Sequence, residues 1–81
     1  MVVVTGREPD PESAVLTSLH LPQWQRGLAL GRALVRRGKT EQEVVQALLD
    51  SCPTPPHPSI AAWWERCVTE LARLAARMEG A

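Results

Sequence analysis

The apolar positions near the C-terminus follow a spacing that predicts one long amphipathic helix over residues 59–80. Apolar side chains recur at alternating spacings of four and three residues, at Ile60, Trp64, Cys67, Leu71, Leu74 and Met78. Residues at these spacings share one side of a helix, and Trp63, Val68 and Ala75 widen this stripe at its edges. The stripe must be covered, either by the other helices of the chain or by a second copy in a homodimer through residues 59–80.

A first, shorter helix is predicted over residues 11–20. Asp10 and Pro11 are typical of an N-cap followed by the first helical position. Its apolar side comprises Ala14, Val15, Leu16 and Leu19. Pro22 ends the pattern, because the residue before a proline avoids the α region.

A second helix is predicted over residues 22–37, where Gly38 ends it. Its apolar face comprises Trp24, Gly27, Leu28, Gly31, Leu34 and Val35. Glycine inside a helix costs about 1 kcal/mol relative to alanine. Two glycines four residues apart on the apolar side therefore predict that another helix crosses very close to this one.

Thr40 and Glu43 form the pattern of a capping box and predict a third helix that extends through Asp50. Residues 52–58 contain four prolines, which favour a stiff, extended link before the last helix. Residues 59–80 then complete an all-α fold, a small bundle of three to four helices.

The chain has 81 residues, enough for a single domain over residues 10–81. Residues 1–9 are expected to be a flexible or partner-bound tail, because the short apolar run at residues 2–5 cannot form a stable strand by itself. No apolar run is long enough to span a membrane, and the start lacks the basic region of a secretory signal. We therefore expect a cytoplasmic protein. The single Lys against eight Arg, without any Asn, is typical of a GC-rich bacterial or phage gene.

Charge is segregated although the formal net charge is zero. Residues 22–39 carry five basic side chains and no acid, whereas residues 40–58 carry three acids and no base. Near helix ends such charges complement the helix dipole, which accounts for Arg36, Arg37 and Lys39. Arg26 and Arg32 lie too far from that end, so they are the better candidates for contact with a partner.

Two cysteines and two histidines could in principle bind zinc or support nucleophilic catalysis. His20, Cys52, His57 and Cys67 are spaced by 32, 5 and 10 residues, unlike any common zinc pattern. No local signature pairs a cysteine with a histidine for catalysis. The sequence therefore predicts no cofactor, no metal site and no enzymatic activity.

Two binding functions remain. The favoured one is a protein-interaction module, an adaptor, regulator or subunit of a larger complex, with a contact surface formed by Trp24, Arg26, Arg32, Trp63 and Trp64. The alternative is a helix-turn-helix-like regulator that binds nucleic acid through Arg26, Arg32, Arg66, Arg73 and Arg77. The long proline link disfavours the alternative, because the motif requires a turn of about 3–4 residues between its two helices.

Overall fold

The computed structural model describes residues 10–51 and 58–80. These residues form four helices, α1 (Pro11–Ser18), α2 (Pro22–Arg36), α3 (Glu41–Ser51) and α4 (Ala61–Gly80), with a short 3-10 turn (Pro58–Ile60) before the last. The predicted all-α bundle with a long C-terminal amphipathic helix is confirmed. The predicted tail over residues 1–9 and the link residues 52–57 lie outside the described residues.

The last helix, α4, is the centre of the bundle and packs against α1, α2 and α3. Its fully buried side chains are Cys67, Val68, Leu71, Ala72 and Ala75. Val15, Trp24, Val44 and Leu48 from the other helices complete the core. The amphipathic stripe is thus covered largely within the chain, since all three other helices lie on it.

The buried face of α4 differs from the predicted stripe. Val68 and Ala75, expected at its edges, are completely buried, and Ala72 was not predicted to be buried at all. Met78, expected in the stripe, is 42% exposed. The buried face is therefore rotated toward Val68 and Ala72, because small side chains there let neighbouring helices approach closely.

Helices α2 and α4 run in the same direction. Three contacts follow the same order along both helices: Trp24 with Trp64, Gly31 with Ala75, and Arg32 with Glu79. A Cβ atom placed on Gly31 would lie 3.1 Å from the Cβ of Ala75, so the close crossing predicted from the glycines is confirmed at Gly31. Gly27 is also buried.

The predicted helix starts at α1 and α3 form as expected. The Asp10 carboxylate accepts a hydrogen bond from the Ser13 N–H at 3.2 Å. At α3, the Glu43 N–H donates to the Thr40 hydroxyl at 3.2 Å, and the Thr40 N–H donates to the Glu43 carboxylate at 2.9 Å. This reciprocal pair is a capping box, and the two Thr40 hydrogen bonds hold the pKa of Glu43 below its usual range.

Three predicted boundaries were wrong. Helix α1 ends at Ser18, not His20, because a turn in which the Leu21 N–H donates to the Ser18 carbonyl at 2.9 Å follows directly. At α4, the residue Ser59 lies within the 3-10 turn, so the helix proper begins at Ala61. Gly80 belongs to α4 and does not adopt the positive φ expected of a residue that follows a helix.

Gly38 ends α2 as predicted, with a φ of 83°. The Lys39 N–H donates to the Leu34 carbonyl at 3.1 Å, and the Gly38 N–H donates to the Val35 carbonyl at 2.9 Å. This pair of bonds is the Schellman motif, which reverses the chain toward α3.

Replacing Gly38 with alanine is expected to lower the free energy of unfolding by about 1 kcal/mol, because a Cβ atom disfavours this left-handed conformation. Urea denaturation followed by circular dichroism measures the change. Gly80→Ala is the matched control, since Gly80 has ordinary helical geometry and open space around it. Equal effects of the two substitutions would contradict the motif.

Candidate functional site

The end of α1 and the link to α2 carry accessible apolar side chains. Leu16, in the last turn of α1, is 53% exposed, and Leu21, the N-cap of α2, is 38% exposed. Leu21 is held in extended geometry by Pro22, which begins α2. Leu19 lies between them and is partly buried against the core. We call Leu16, Leu19 and Leu21 the apolar corner.

Trp63 lies at the start of α4, at the same end of the molecule as Leu21, because the starts of α2 and α4 meet where Trp24 contacts Trp64. It precedes Glu70 and Arg77 by one and two heptads and therefore shares their side of the helix. That side faces α1, because Arg77 lies 3.9 Å from Glu12 and Glu70 lines a cleft with the start of α1. The indole of Trp63 is partly buried against the core, so part of it stays accessible at this end of α4.

The other two tryptophans stabilise this end of the molecule. The rings of Trp24 and Trp64 lie 5.5 Å apart between centroids and are tilted by 48°, an arrangement that aromatic pairs favour. Trp24 is only 7% exposed and Trp64 is partly buried. Trp24, predicted as a contact residue, therefore contributes mainly to the core.

The predicted contact residues do not form one continuous surface. Trp24 and Trp64 are in contact, and Trp63 precedes Trp64 in the sequence. Arg26 is exposed, two residues after Trp24 and therefore about 200° away around α2. Arg32 lies toward the other end of α2, where it contacts Glu79.

Arg32 and Arg36 share one carboxylate on α4. The Arg32 guanidinium donates to Glu79 at 2.6 Å, and that of Arg36 donates to the same oxygen at 3.1 Å. The Glu79 side chain is 13% exposed, and the Arg32 hydrogen bond holds its pKa below the usual range. This cluster ties the last turn of α4 to α2, so these two arginines serve the fold.

Two of the arginines on the outer face of α4 are also engaged. Arg73 donates to Glu41 at 3.2 Å and to Glu70 at 3.1 Å, and these hydrogen bonds raise its pKa. Arg77 lies next to Glu12 of α1. Acidic side chains from α1, α3 and α4 therefore neutralise the positive charge of this face. Arg66 is exposed and lacks an acidic side chain within ion-pair distance among the described residues.

A cleft of about 350 Å³ lies between the start of α1 and α4. Its lining contains both signs of charge, from Asp10, Glu12, Glu70, Arg66 and Arg73, together with Pro11 and Thr69. Because acidic and basic side chains line the cleft together, their electrostatic potentials offset each other, and the cleft does not attract an ionic ligand strongly. Within residues 10–51 and 58–80, no three His, Cys, Asp or Glu side chains come close enough to hold a metal ion.

The thiol of Cys67 is buried in the core, and burial raises its pKa to about 11. At pH 8 on the order of one molecule in a thousand carries the thiolate, which is the reactive form. We expect the thiol in a Cys52→Ser variant to react slowly with a disulfide reagent at pH 8 and rapidly after addition of denaturant. Rapid reaction of the folded variant would contradict the burial of this side chain.

Leu16 and Leu21 were not predicted as site residues. Leu16 was assigned to the covered side of the first helix, whereas Leu21 lies in a link where helical periodicity gives no signal. The available indication was their position in the last turn before the break and directly before Pro22, where a helix end leaves side chains uncovered.

None of the helices within the described residues has both the length and the apolar character needed to cross a membrane. Comparison of the chain with protein-family models, with curated proteins and with solved structures found no match.

Proposed function

We propose that this chain is a small non-enzymatic protein-interaction module, an adaptor, regulator or subunit of a larger complex, that binds its partner through the apolar corner and Trp63. The observation that carries the proposal is the exposure of Leu16 and Leu21 around the link between α1 and α2, with the partly buried Trp63 at the start of α4. Large apolar side chains grouped at one end of a small domain are typical of protein contact sites, and tryptophan is enriched among the residues that dominate binding energy.

The pairing of the arginines supports protein binding over nucleic-acid binding. Five arginines were predicted to bind nucleic acid in the alternative function. Three of them, Arg32, Arg73 and Arg77, already have acidic neighbours within the chain. Affinity for nucleic acid depends on cations that are free to neutralise phosphates. Only Arg26 and Arg66 of this set lack an acidic partner within the described residues, and they lie on different helices.

The proposed setting is the cytoplasm of a bacterium or of a phage-infected cell, as the composition indicates. The homodimer through residues 59–80 stays a prediction. Its stripe is largely occupied by the chain's own helices, and Met78 is its one large side chain that is clearly exposed within the described residues.

The proposed surface can be tested with two matched variants. A tagged Leu16→Ser/Leu21→Ser protein is expected to lose at least about tenfold in affinity for the partner that the wild type captures, because apolar contact area is lost. Met78→Ser removes an equally exposed apolar side chain at the far end of α4 and is expected to bind like the wild type.

Circular dichroism and urea denaturation of both variants establish that each is folded before binding is compared. Equal binding by the corner variant and the wild type would contradict the proposed surface. If only Met78→Ser lost binding, the partner would bind at the end of α4 and not at the apolar corner.

A further inference from the structure

A second apolar surface, separate from the apolar corner, lies between α2 and α3. It is an open groove of about 360 Å³ lined by Leu34, Lys39, Glu43, Gln46, Ala47 and Asp50. Leu34 and Ala47 form its apolar floor and are only partly buried. The groove follows from the hairpin that Gly38 creates, because the Schellman motif brings α3 back alongside α2.

Lys39 is the basic side chain that lines the groove, and α2 carries further exposed cations along the side that Leu34 shares. Arg26, Leu30, Leu34 and Arg37 are spaced by four, four and three residues, so they follow one side of α2. Arg26, Arg37 and Lys39 are all exposed. None of the three has an acidic side chain within ion-pair distance among the described residues.

The α3 side carries acidic charge, and Lys39 lies close enough to Glu43 to contribute to its lowered pKa. Glu43, Ala47 and Asp50 are spaced by four and three residues on one side of α3. Glu43 accepts a hydrogen bond from the Thr40 N–H, and Asp50 accepts one from the Gln46 amide at 3.1 Å. Neither carboxylate has a basic side chain within ion-pair distance in the described part of the chain.

We propose that a second copy of this chain docks on the α2–α3 groove about a two-fold axis. A two-fold axis places the same patch of both protomers in contact, so a patch with one basic and one acidic side is complementary to itself. The basic side of α2 in one protomer faces the acidic side of α3 in its partner, twice. Leu30, Leu34 and Ala47 supply the apolar centre between these charges.

This arrangement explains the segregation of charge along the sequence. A domain with zero net charge gains nothing in solubility from placing bases on α2 and acids on α3. Helix dipoles account for Arg37 and Lys39 at the end of α2, but not for Arg26 near its start. The groove is distinct from the apolar corner, so the dimer and the proposed partner can bind together and each can be tested alone.

Charge exchange between the two sides of the groove is the decisive test. The α2 variant carries Arg26→Glu and Arg37→Glu, and the α3 variant carries Gln46→Lys and Asp50→Lys. None of these four residues forms an ion pair within the described residues, so both variants are expected to fold. Circular dichroism verifies that each retains its helices.

Sedimentation equilibrium is expected to show a dimer for the wild type, with an affinity that falls as salt is raised. Each variant alone brings like charges together and is expected to dissociate at least about tenfold more readily. An equimolar mixture restores opposite charges at both contacts, so we expect it to recover the dimer.

Two single substitutions serve as controls for the position of the interface. Arg66→Glu reverses an exposed cation on α4 that has no acidic partner in the described part of the chain, and Met78→Ser alters the exposed end of the predicted 59–80 interface. Both are expected to keep the wild-type dimer. A wild type that is monomeric at every attainable concentration, a mixture that stays monomeric, or a dimer lost only with Met78→Ser would each overturn the proposal.

Discussion

Leu71→Ala is expected to lower the free energy of unfolding by roughly 2–5 kcal/mol, one of the two largest effects that the structure predicts. Leu71 is 0% exposed and lies in the middle of α4, within the same core cluster as Val44, Leu48 and Val68. Truncation removes buried methyl groups and leaves a cavity, since the backbones of α4 and its neighbours cannot close it completely. The total free energy of unfolding of a natural domain is only about 5–15 kcal/mol, so this loss is a large fraction of it.

Urea denaturation monitored by far-UV circular dichroism measures this effect as a lower midpoint at an unchanged slope. Leu16→Ala is the matched control, since Leu16 is 53% exposed, and its cost is expected to stay below about 1 kcal/mol. Similar losses for both leucines would mean that α4 is not the centre of the core.

Gly31→Val is expected to cost about 3 kcal/mol, because the new side chain has no free space. Its Cβ would lie 3.1 Å from the Cβ of Ala75 and 3.6 Å from a Val44 methyl carbon, with a Leu48 methyl carbon at 3.9 Å. The first of these contacts is the critical one, because a Cβ atom cannot move without its helix. The substitution therefore forces α2 away from α4.

Ala29→Val on the exposed side of α2 is the control for the lower helix propensity of valine, which costs less than about 1 kcal/mol. The difference between the two variants isolates the steric effect of the crossing. If Gly31→Val unfolds at the same urea concentration as Ala29→Val, the helices do not cross as closely as described.

Local chemistry accounts for the parts of the fold that the sequence predicts well. Asp10, the Thr40–Glu43 pair and Gly38 each act within a few residues of their own position, so their roles can be read without knowing the tertiary structure. The proximity of α2 to a second helix was also predictable at Gly31, because glycine in a helix requires a compensating contact.

The parts that the sequence does not predict depend on contacts between distant segments. The stripe of α4 was assigned by the size of its side chains, whereas the real buried face includes Ala72, a small residue that permits close packing. Met78 has the right helical position but lies near the end of α4, where it remains 42% exposed. Helical spacing indicates the direction in which a side chain points around the helix axis. It does not indicate how far along α4 the covering helices extend.

The candidate site illustrates the same limit. Arg32 was a predicted contact residue because it lies too far from the end of its helix to complement the dipole, yet it pairs with Glu79, 47 residues away. The α2–α3 groove, by contrast, arises from neighbouring segments, and the segregation of charge that defines its two sides is visible in the sequence itself.

The class of the binding partner is the central claim, and one measurement tests it most directly. The tagged protein is captured from cells that naturally express it, with and without nuclease and at low and high salt, and the co-purifying protein and nucleic acid are both quantified. We expect one protein to remain through nuclease and high salt, and to be lost with the Leu16→Ser/Leu21→Ser variant. A nucleic acid that co-purifies, with every protein partner lost on nuclease treatment, would contradict the account and favour the helix-turn-helix alternative.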